Sequence, residues 1–290
     1  MNFARTLVAV LFACRLHISL FTLAAVWGWS RLFATQVLPE DYLIAPLIMS
    51  CVYLWNRAWD LQEDSINCPD STRHFERARH FILALAPLIG VVCIGLAALR
   101  GPLLAPLALV VILLVGFAYS APFLPGRPNR RLKDFCHVKN LTSALGWVVL
   151  VTLYPALHAA GPLSAAYLLG SVILFLAVWT VEIIWDIRDV EGDRQAGVIT
   201  LPVALGPAGA NRWIWGLNIL GAITILAGLG LKLLPQAWYL ALVNNALIAG
   251  WARLGADRLQ QGRFWSHGLV VAQTGLIAAA GFLALWLQRP

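Results

Sequence analysis

The stretch that decides the fold is residues 162–185, PLSAAYLLGSVILFLAVWTVEIIW, which DIRDVEGD follows at 186–193. The first part is long enough to cross the hydrocarbon layer as a helix, because a span needs about 20 apolar residues. It does not alternate apolar and polar residues, as a membrane strand would. Similar runs elsewhere predict an all-α, polytopic membrane bundle of about nine transmembrane helices. The predicted spans are 17–38, 41–57, 80–99, 103–120, 138–157, 162–185, 212–231, 235–253 and 267–287.

Composition supports a membrane protein over a soluble one. Hydrophobic residues make up 60% of the chain and charged residues 12%, whereas soluble domains carry about 45–50% and about 25%. No linker divides the chain, so a single membrane domain is expected over residues 1–290. The net charge of +7 does not indicate a nucleic-acid partner, because the basic residues lie in short loops between apolar runs. No obligate protein partner is evident either.

The basic residues also predict the orientation of the chain in the bilayer. The odd-numbered connections and the C-terminus hold only Arg31, Arg100, Lys232 and Arg289, while nearly all other Lys and Arg residues fall at the N-terminus and in the even connections. The positive-inside rule then puts the N-terminus and the even connections, including both acidic segments, in the cytoplasm. A bacterial inner (cytoplasmic) membrane, with cytoplasmic loops capping the bundle, is the expected location.

The first acidic segment is NRAWDLQED at 56–64. Asn56, Asp60 and Asp64 recur every four residues, which keeps them on one face of a helix. Like charges at this spacing repel each other in an isolated helix, so the arrangement favours a cation between them.

The second acidic segment is DIRDVEGDRQAG at 186–197. Asp186, Asp189 and Asp193 share one helix face, and Glu191 points elsewhere. Gly192, Gly197 and Pro202 are then expected to break the helix and open a turn.

Two carboxylate stripes on one side of the membrane suit a hard divalent cation. Mg²⁺ takes oxygen ligands, few carboxylates per ion, and completes its shell with water and substrate phosphates. Tyr119, followed by Arg130, Arg131 and Lys133, could clamp the phosphate oxygens that the metal leaves free. The competing interpretation is that the acids are solvated helix ends paired with loop arginines. Zinc, nucleophile-elbow and Walker signatures are absent from the sequence, so nothing favours those enzyme classes.

These residues resemble the UbiA superfamily of intramembrane prenyltransferases. NRAWDLQED at 56–64 is similar to its first motif, NDxxDxxxD, and 186–202 closely matches its second, DxxDxxGDxxxGxxTLP. The YSAP run at 119–122 and the LKD…VKN stretch at 132–140 also resemble the family's loop after the fourth helix. The resemblance covers nearly the whole chain, and the second motif is its most specific part.

The resemblance implies Mg²⁺-dependent transfer of a prenyl group from an isoprenyl diphosphate to a lipophilic, often aromatic, acceptor within the lipid bilayer. The residues it implies as ligands of Mg²⁺ are Asn56, Asp60, Asp64, Asp186, Asp189 and Asp193. Those it implies as catalytic are Asp60, Asp64, Asp189 and Asp193. Those it implies as substrate contacts are Asn56, Arg57, Arg73, Tyr119, Arg131, Lys133 and Lys139.

One position departs from the family's commonest pattern, because Arg57 stands where the first motif usually has Asp. The change removes a possible metal ligand and adds a cation that could contact diphosphate, and some members do read NRxxDxxxD. Three alternatives stay open beside the transferase: a terpene cyclase of the same superfamily with no separate acceptor, a cation-coupled transporter or binding protein, and an inactive homologue. The identity of the acceptor is also open.

Overall fold

The fold is a bundle of α-helices. A computed structural model describes residues 15–67, 69–122, 130–135, 137–253 and 263–288, without the side chains of residues 62, 67, 69–71, 73, 74, 263, 264 and 266. The helices are α1 (Leu16–Leu32), α2 (Asp41–Trp59), α3 (Leu61–Asn67), α4 (Pro69–Arg100), α5 (Leu104–Ser120), α6 (Val138–His158), α7 (Ala165–Gln195), α8 (Leu201–Gly230), α9 (Tyr239–Arg253) and α10 (Arg263–Leu287). Helix α6 contains a π-helical turn at Val149–Leu153. The predicted all-α membrane fold is confirmed, and the described residues form no strand.

Five of the described helices are long and apolar enough to cross a membrane: α4 from Phe75 onward, α6, α7, α8, and α10 from His267 onward. A described helix lies in each of the nine predicted stretches, but several of these helices are short. The count of nine spans therefore stays a prediction.

The outer surface of the bundle is apolar, as a lipid-facing surface should be. On α4 the side chains of Phe81, Leu88, Val91 and Leu99 are 61–80% exposed. A soluble protein rarely leaves such a contiguous apolar face in water. This surface is suited to contact with lipid hydrocarbon, which agrees with an integral, multi-pass membrane protein.

Small residues let α1 and α10 pack closely. A Cβ atom at Gly28 would lie 2.7 Å from the backbone oxygen of Ile277, and one at Gly281 would lie 2.5 Å from the Trp27 ring. Helices in membranes commonly pack through such residues, because lipid supplies no hydrophobic drive for their association. This contact joins the first and last described helices.

A buried polar cluster links three helices at the N-terminal end of α2. His158 Nδ1 lies 2.7 Å from Asp41 Oδ1, and its Nε2 lies 3.1 Å from the Ala97 carbonyl oxygen. The carboxylate and the imidazole are both buried, so their mutual contact satisfies groups that would otherwise be costly to desolvate. The cluster connects α2, α4 and α6 at the end of α2 opposite to Asp60.

The predicted helix break at Gly192 is wrong, because α7 continues through it to Gln195. The intrinsic cost of one helical glycine, about 1 kcal/mol, is outweighed by packing along a long helix. Gly197 does end the helix, with φ +72°. The Val198 N–H donates to the Asp193 carbonyl and the Gly197 N–H to the Arg194 carbonyl, at 2.8 and 3.2 Å, which is a Schellman cap. Pro202 lies in the first turn of α8.

Candidate active site

Both acidic segments line one cavity of about 480 Å³. The polar end of the cavity is formed by the C-terminal ends of α2 and α7, the N-terminal part of α6 and the loop before it. Of the residues predicted for the site, those lining the cavity are Asn56, Arg57, Asp60, Asp64, Tyr119, Lys133, Lys139, Asp186, Asp189 and Asp193. Arg131 lines an adjoining pocket together with Arg130. The side chain of Arg73 lies outside the described part of the structure.

The first segment is not one continuous helix, which corrects the sequence-based expectation. Helix α2 ends at Trp59, and Asp60 takes a non-helical conformation (φ −92°, ψ 19°) before α3 begins. The Asp60 N–H still donates to the Asn56 carbonyl at 2.9 Å, and the Asp64 N–H to the Asp60 carbonyl at 2.8 Å. Because these bonds preserve the four-residue spacing across the break, all three side chains face the same cavity.

The Asn56 amide lies at the N-terminal end of this segment and is held by two hydrogen bonds. In the orientation that satisfies its hydrogen bonds, its nitrogen donates to the carbonyl oxygens of Val52 and Gly116, each at 3.1 Å. These bonds fix the position of the amide against α5.

Two basic residues from the loop before α6 neutralise the first segment. Lys133 Nζ lies 2.8 Å from Asp60 Oδ1 and 2.9 Å from Glu63 Oε2. Arg131 contacts the other Glu63 oxygen at 2.6 Å and pairs with Asp134 at 2.8 Å. Burial raises the pKa of Asp60 to about 7 despite the neighbouring Lys133 charge. Burial also opposes ionisation of Glu63, but Lys133 and Arg131 outweigh it and hold the Glu63 pKa below its usual range.

Arg57 forms an internal counter-ion at this end of the cavity. Its Nε lies 3.2 Å from Asp64 Oδ2, and its guanidinium stacks 4.1 Å from the centre of the Phe75 ring. The residue is only 3% exposed. The position that departs from the family's commonest motif is therefore a buried cation within the first segment.

The second segment is neutralised from α6. Lys139 Nζ bridges Asp186 Oδ1 and Asp193 Oδ2, with both distances 2.8 Å. The Asn140 amide donates to the second Asp186 oxygen at 2.8 Å. Lys139 thus links two turns of the stripe on α7 to the start of α6.

The two remaining acids of the second segment differ in their surroundings. Asp189 accepts from its neighbour Arg188 at 2.7 Å and faces the cavity. Glu191 is exposed and pairs with Arg194 at 3.1 Å, so the expectation that it points elsewhere is confirmed.

The donor chemistry of the cavity suits a hard cation, although the carboxylates are engaged by basic side chains. Among the described residues, no three His, Cys, Asp or Glu side chains converge closely enough to hold a metal by themselves. Mg²⁺ does not require such a cage, because it uses one or two carboxylates together with water and phosphate oxygens. Asp60, Asp64 and Asp189 line the cavity and keep 17–21% of their side-chain surface exposed.

Residue spacing did not indicate four acidic or basic side chains of the site: Arg15, Glu63, Glu182 and Arg188. Glu63 shares a helix face with Asp60 at a separation of three residues, so spacing contained a signal for it. Glu182 lies one turn before Asp186 on the same stripe but inside an apolar run. Arg188 lies between two of the predicted aspartates. All four line the cavity.

The other end of the cavity is apolar. Its walls include Met49, Val52, Ile112, Val115 and Leu150. The cavity therefore combines a charged end at the helix termini with a hydrocarbon-like end deeper in the bundle, a shape that suits an amphiphilic ligand.

Comparison with known proteins identifies what this chain resembles. The model of the UbiA prenyltransferase family matches residues 3–269. A homogentisate geranylgeranyltransferase of Hordeum vulgare is 31% identical over 214 residues, covering 67% of this chain and 51% of the relative. A digeranylgeranylglyceryl phosphate synthase of Sulfolobus acidocaldarius is 29% identical over 208 residues, covering 70% of this chain and 67% of the relative. The chain thus spans about half the length of the barley protein.

Solved structures show the same fold. A UbiA homolog from Archaeoglobus fulgidus bound to GPP and Mg²⁺ superposes with a TM-score of 0.68 at 16% identity, covering 94% of this chain and 98% of that one. The apo structure of a UbiA homolog from Aeropyrum pernix K1 also gives a TM-score of 0.68 at 16% identity, covering 92% of this chain and 98% of that one.

Proposed function

The chain belongs to the UbiA prenyltransferase family, and from this premise we propose that it transfers a prenyl group from an isoprenyl diphosphate to a lipophilic acceptor in the membrane. The observation that carries the proposal is that the two acidic segments, on different helices, line one cavity whose other end is apolar. The diphosphate occupies the charged end, and the isoprenyl chain occupies the apolar end. The named relatives and the GPP- and Mg²⁺-bound neighbour support this assignment.

In the proposed site, Mg²⁺ would be held, with one or two carboxylates per ion, by Asn56, Asp60 and Asp64 from the first segment and by Asp189 and Asp193 from the second. Asp186 assists through its contact with Lys139. When bound, the metal supplies Lewis-acid stabilisation of the charge that develops on the diphosphate.

The basic side chains of the site then have two successive partners. Without substrate they neutralise the carboxylates; with substrate, Arg57, Lys133 and Lys139 donate to diphosphate oxygens. Tyr119 and Arg131 are the further proposed substrate contacts, as is Arg73, whose side chain the structure does not describe. Such preorganised donors stabilise the negative charge as the allylic C–O bond breaks.

The carbocationic fragment left by bond cleavage must be shielded from water. Apolar side chains at the deeper end of the cavity exclude water, and the Trp147 and Trp185 rings in its wall can stabilise positive charge. The acceptor then attacks the allylic carbon. We further propose that the chain resides in a bacterial inner membrane with the N-terminus and both acidic segments cytoplasmic.

The proposal is tested by incubating the purified protein in lipid with radiolabelled isoprenyl diphosphates of several lengths and a panel of lipophilic acceptors, with and without Mg²⁺. We expect an acceptor-dependent prenylated product and diphosphate release only with Mg²⁺. Isoprenoid products that form equally without acceptor would identify a cyclase instead. Cation-dependent uptake without diphosphate release would identify a transporter.

A further inference from the structure

A second, smaller cavity lies beside the charged one. This apolar chamber, about 130 Å³ in volume, lies among α1, α7, α9 and α10, with walls that include Phe21, Ile173, Ala177 and Ile277. Its volume is close to that of an engineered cavity of about 150 Å³ that binds benzene. The chamber therefore has room for one ring.

The chamber and the charged cavity share part of their walls. Trp147, Glu182 and Trp185 line both. A ring held in the chamber would therefore be next to the place where we propose that the isoprenyl diphosphate binds.

Glu182 is the acidic group at this junction. It belongs to the carboxylate stripe of α7, one turn before Asp186, and is 7% exposed. The Ser143 hydroxyl donates to Glu182 Oε1 at 2.7 Å. Within the described ranges, Asp186, Asp189 and Asp193 each pair with Lys or Arg, whereas Glu182 forms no such ion pair. Its carboxylate is therefore not neutralised in the way that the rest of the stripe is.

The chamber also carries polar groups suited to a ring with substituents. Gln273 Nε2 donates to Asn244 Oδ1 at 2.9 Å, and both amides line the chamber. Polar groups in a mostly apolar pocket fix the orientation of a ligand. Their presence favours a ring with polar substituents over a plain hydrocarbon segment.

We propose that the apolar chamber binds the ring of a hydroxyl-bearing acceptor and that Glu182 accepts the hydroxyl proton. This inference rests on the proposed transferase function. The allylic C–O bond of the donor breaks and its electron pair leaves with the diphosphate. A bond forms between the allylic carbon and the acceptor oxygen, and the O–H proton passes to the Glu182 carboxylate. Glu182 then returns this proton to water, so that atoms and charge balance over the turnover.

The first test replaces the carboxylate with the isosteric amide, Glu182→Gln. General-base catalysis contributes about 10²- to 10⁴-fold, so transfer to para-cresol should fall by at least about 10²-fold. Donor binding should stay within about twofold of wild type. With para-nitrophenol as the acceptor, the transfer rate of Glu182→Gln should fall much less, because this phenol is more acidic and releases its proton without a strong base.

Three results separate this inference from the transferase proposal. Equal losses with both phenols, or a parallel loss of donor binding, would place Glu182 in a structural or diphosphate role and overturn the inference. Transfer by Glu182→Gln at a rate within threefold of wild type would overturn it as well. A wild-type protein that binds para-cresol in the chamber but neither binds nor cleaves any isoprenyl diphosphate would instead contradict the transferase proposal, and with it the proton transfer.

The second test measures binding without Mg²⁺ or donor. Ala177→Phe fills the chamber, and Val172→Phe, on the outer face of the same helix at 50% exposure, is the matched control. Binding of radiolabelled para-cresol should weaken at least tenfold in Ala177→Phe and stay unchanged in Val172→Phe. Equal binding by the two variants would show that the ring does not occupy the chamber.

Discussion

Lys139→Met is expected to make the stability of the protein depend on Mg²⁺. Lys139 Nζ lies 2.8 Å from both Asp186 and Asp193, and its side chain is 13% exposed. Removing one partner of a buried ion pair typically costs about 3–5 kcal/mol, because the remaining charge is left uncompensated. At about 2–4 °C per kcal/mol, this corresponds to a fall in Tm of roughly 6–20 °C.

In the wild type an added cation must displace Lys139, whereas in Lys139→Met it meets free carboxylates. Mg²⁺ at 100 times its Kd should therefore raise the free energy of unfolding of the variant by about 2.7 kcal/mol. The increase in the wild type should be smaller. Thermal denaturation in detergent, with EDTA or with Mg²⁺, measures both effects. The matched control is Arg194→Met, which removes an ion pair with 58% and 57% exposed side chains and should cost about 0–1 kcal/mol. A Lys139→Met variant that melts within about 2 °C of wild type in EDTA, or equal Mg²⁺ shifts in both proteins, would show that Lys139 is not the counter-ion of a cation-binding pair of aspartates.

Three further predictions concern the site and the fold. Asp193→Asn should slow diphosphate release at least about 10²-fold, while Glu191→Gln, an exposed change on the same turn, should leave it unchanged; similar rates in the two variants would contradict the assignment. Arg57→Met should raise the KM for the isoprenyl diphosphate about ten- to hundredfold, because a charge-assisted contact worth about 1.5–3 kcal/mol is lost; an unchanged KM at saturating Mg²⁺ would show that Arg57 does not reach the donor. Gly101→Ala should lower the free energy of unfolding by about 1–3 kcal/mol, because its Cβ would lie 2.1 Å from the His158 ring. Gly95→Ala, where the new Cβ meets open space inside a helix, should melt at or slightly above the wild-type temperature.

Much of the fold follows from simple features of the sequence. Long apolar runs predict membrane helices because the bilayer leaves backbone groups no other partners, and described helices lie in all the predicted stretches. The local breaks are harder to predict. The four-residue spacing through Asp60 suggests a continuous helix, yet the chain changes direction there. Gly192 looks like a helix breaker, but packing along α7 overrides its propensity.

The candidate site was partly visible in the sequence because its acids recur at helical spacing. The pairing of Lys139 with two aspartates of α7 was not visible, because that contact joins separate helices. Glu63 could have been found from its three-residue separation from Asp60. Glu182 is also at helical spacing, four residues before Asp186, but it lies inside an apolar run that the sequence assigns to a membrane span.

The competing interpretation of the acids, as helix ends paired with basic side chains, describes part of what the structure contains. Asp60 and Asp64 do pair with Lys133 and Arg57. These pairs lie inside a cavity and not on a solvated surface, so the basic residues are positioned to exchange carboxylate partners for diphosphate oxygens. Ion pairing among these side chains and metal–diphosphate binding are thus compatible arrangements of one site.

If the two acidic segments form one metal–diphosphate site, the binding of Mg²⁺ and the binding of the diphosphate are coupled through residues of both segments. Titration calorimetry with Mg²⁺ and a non-cleavable isoprenyl diphosphate analogue, on wild type, Asp60→Asn and Asp193→Asn, measures that coupling. We predict that each ligand tightens the binding of the other to the wild type by the same factor, as linkage requires, and that either substitution alone removes most of this coupling. Full coupling retained in one of the two variants would show that the segments do not share a site.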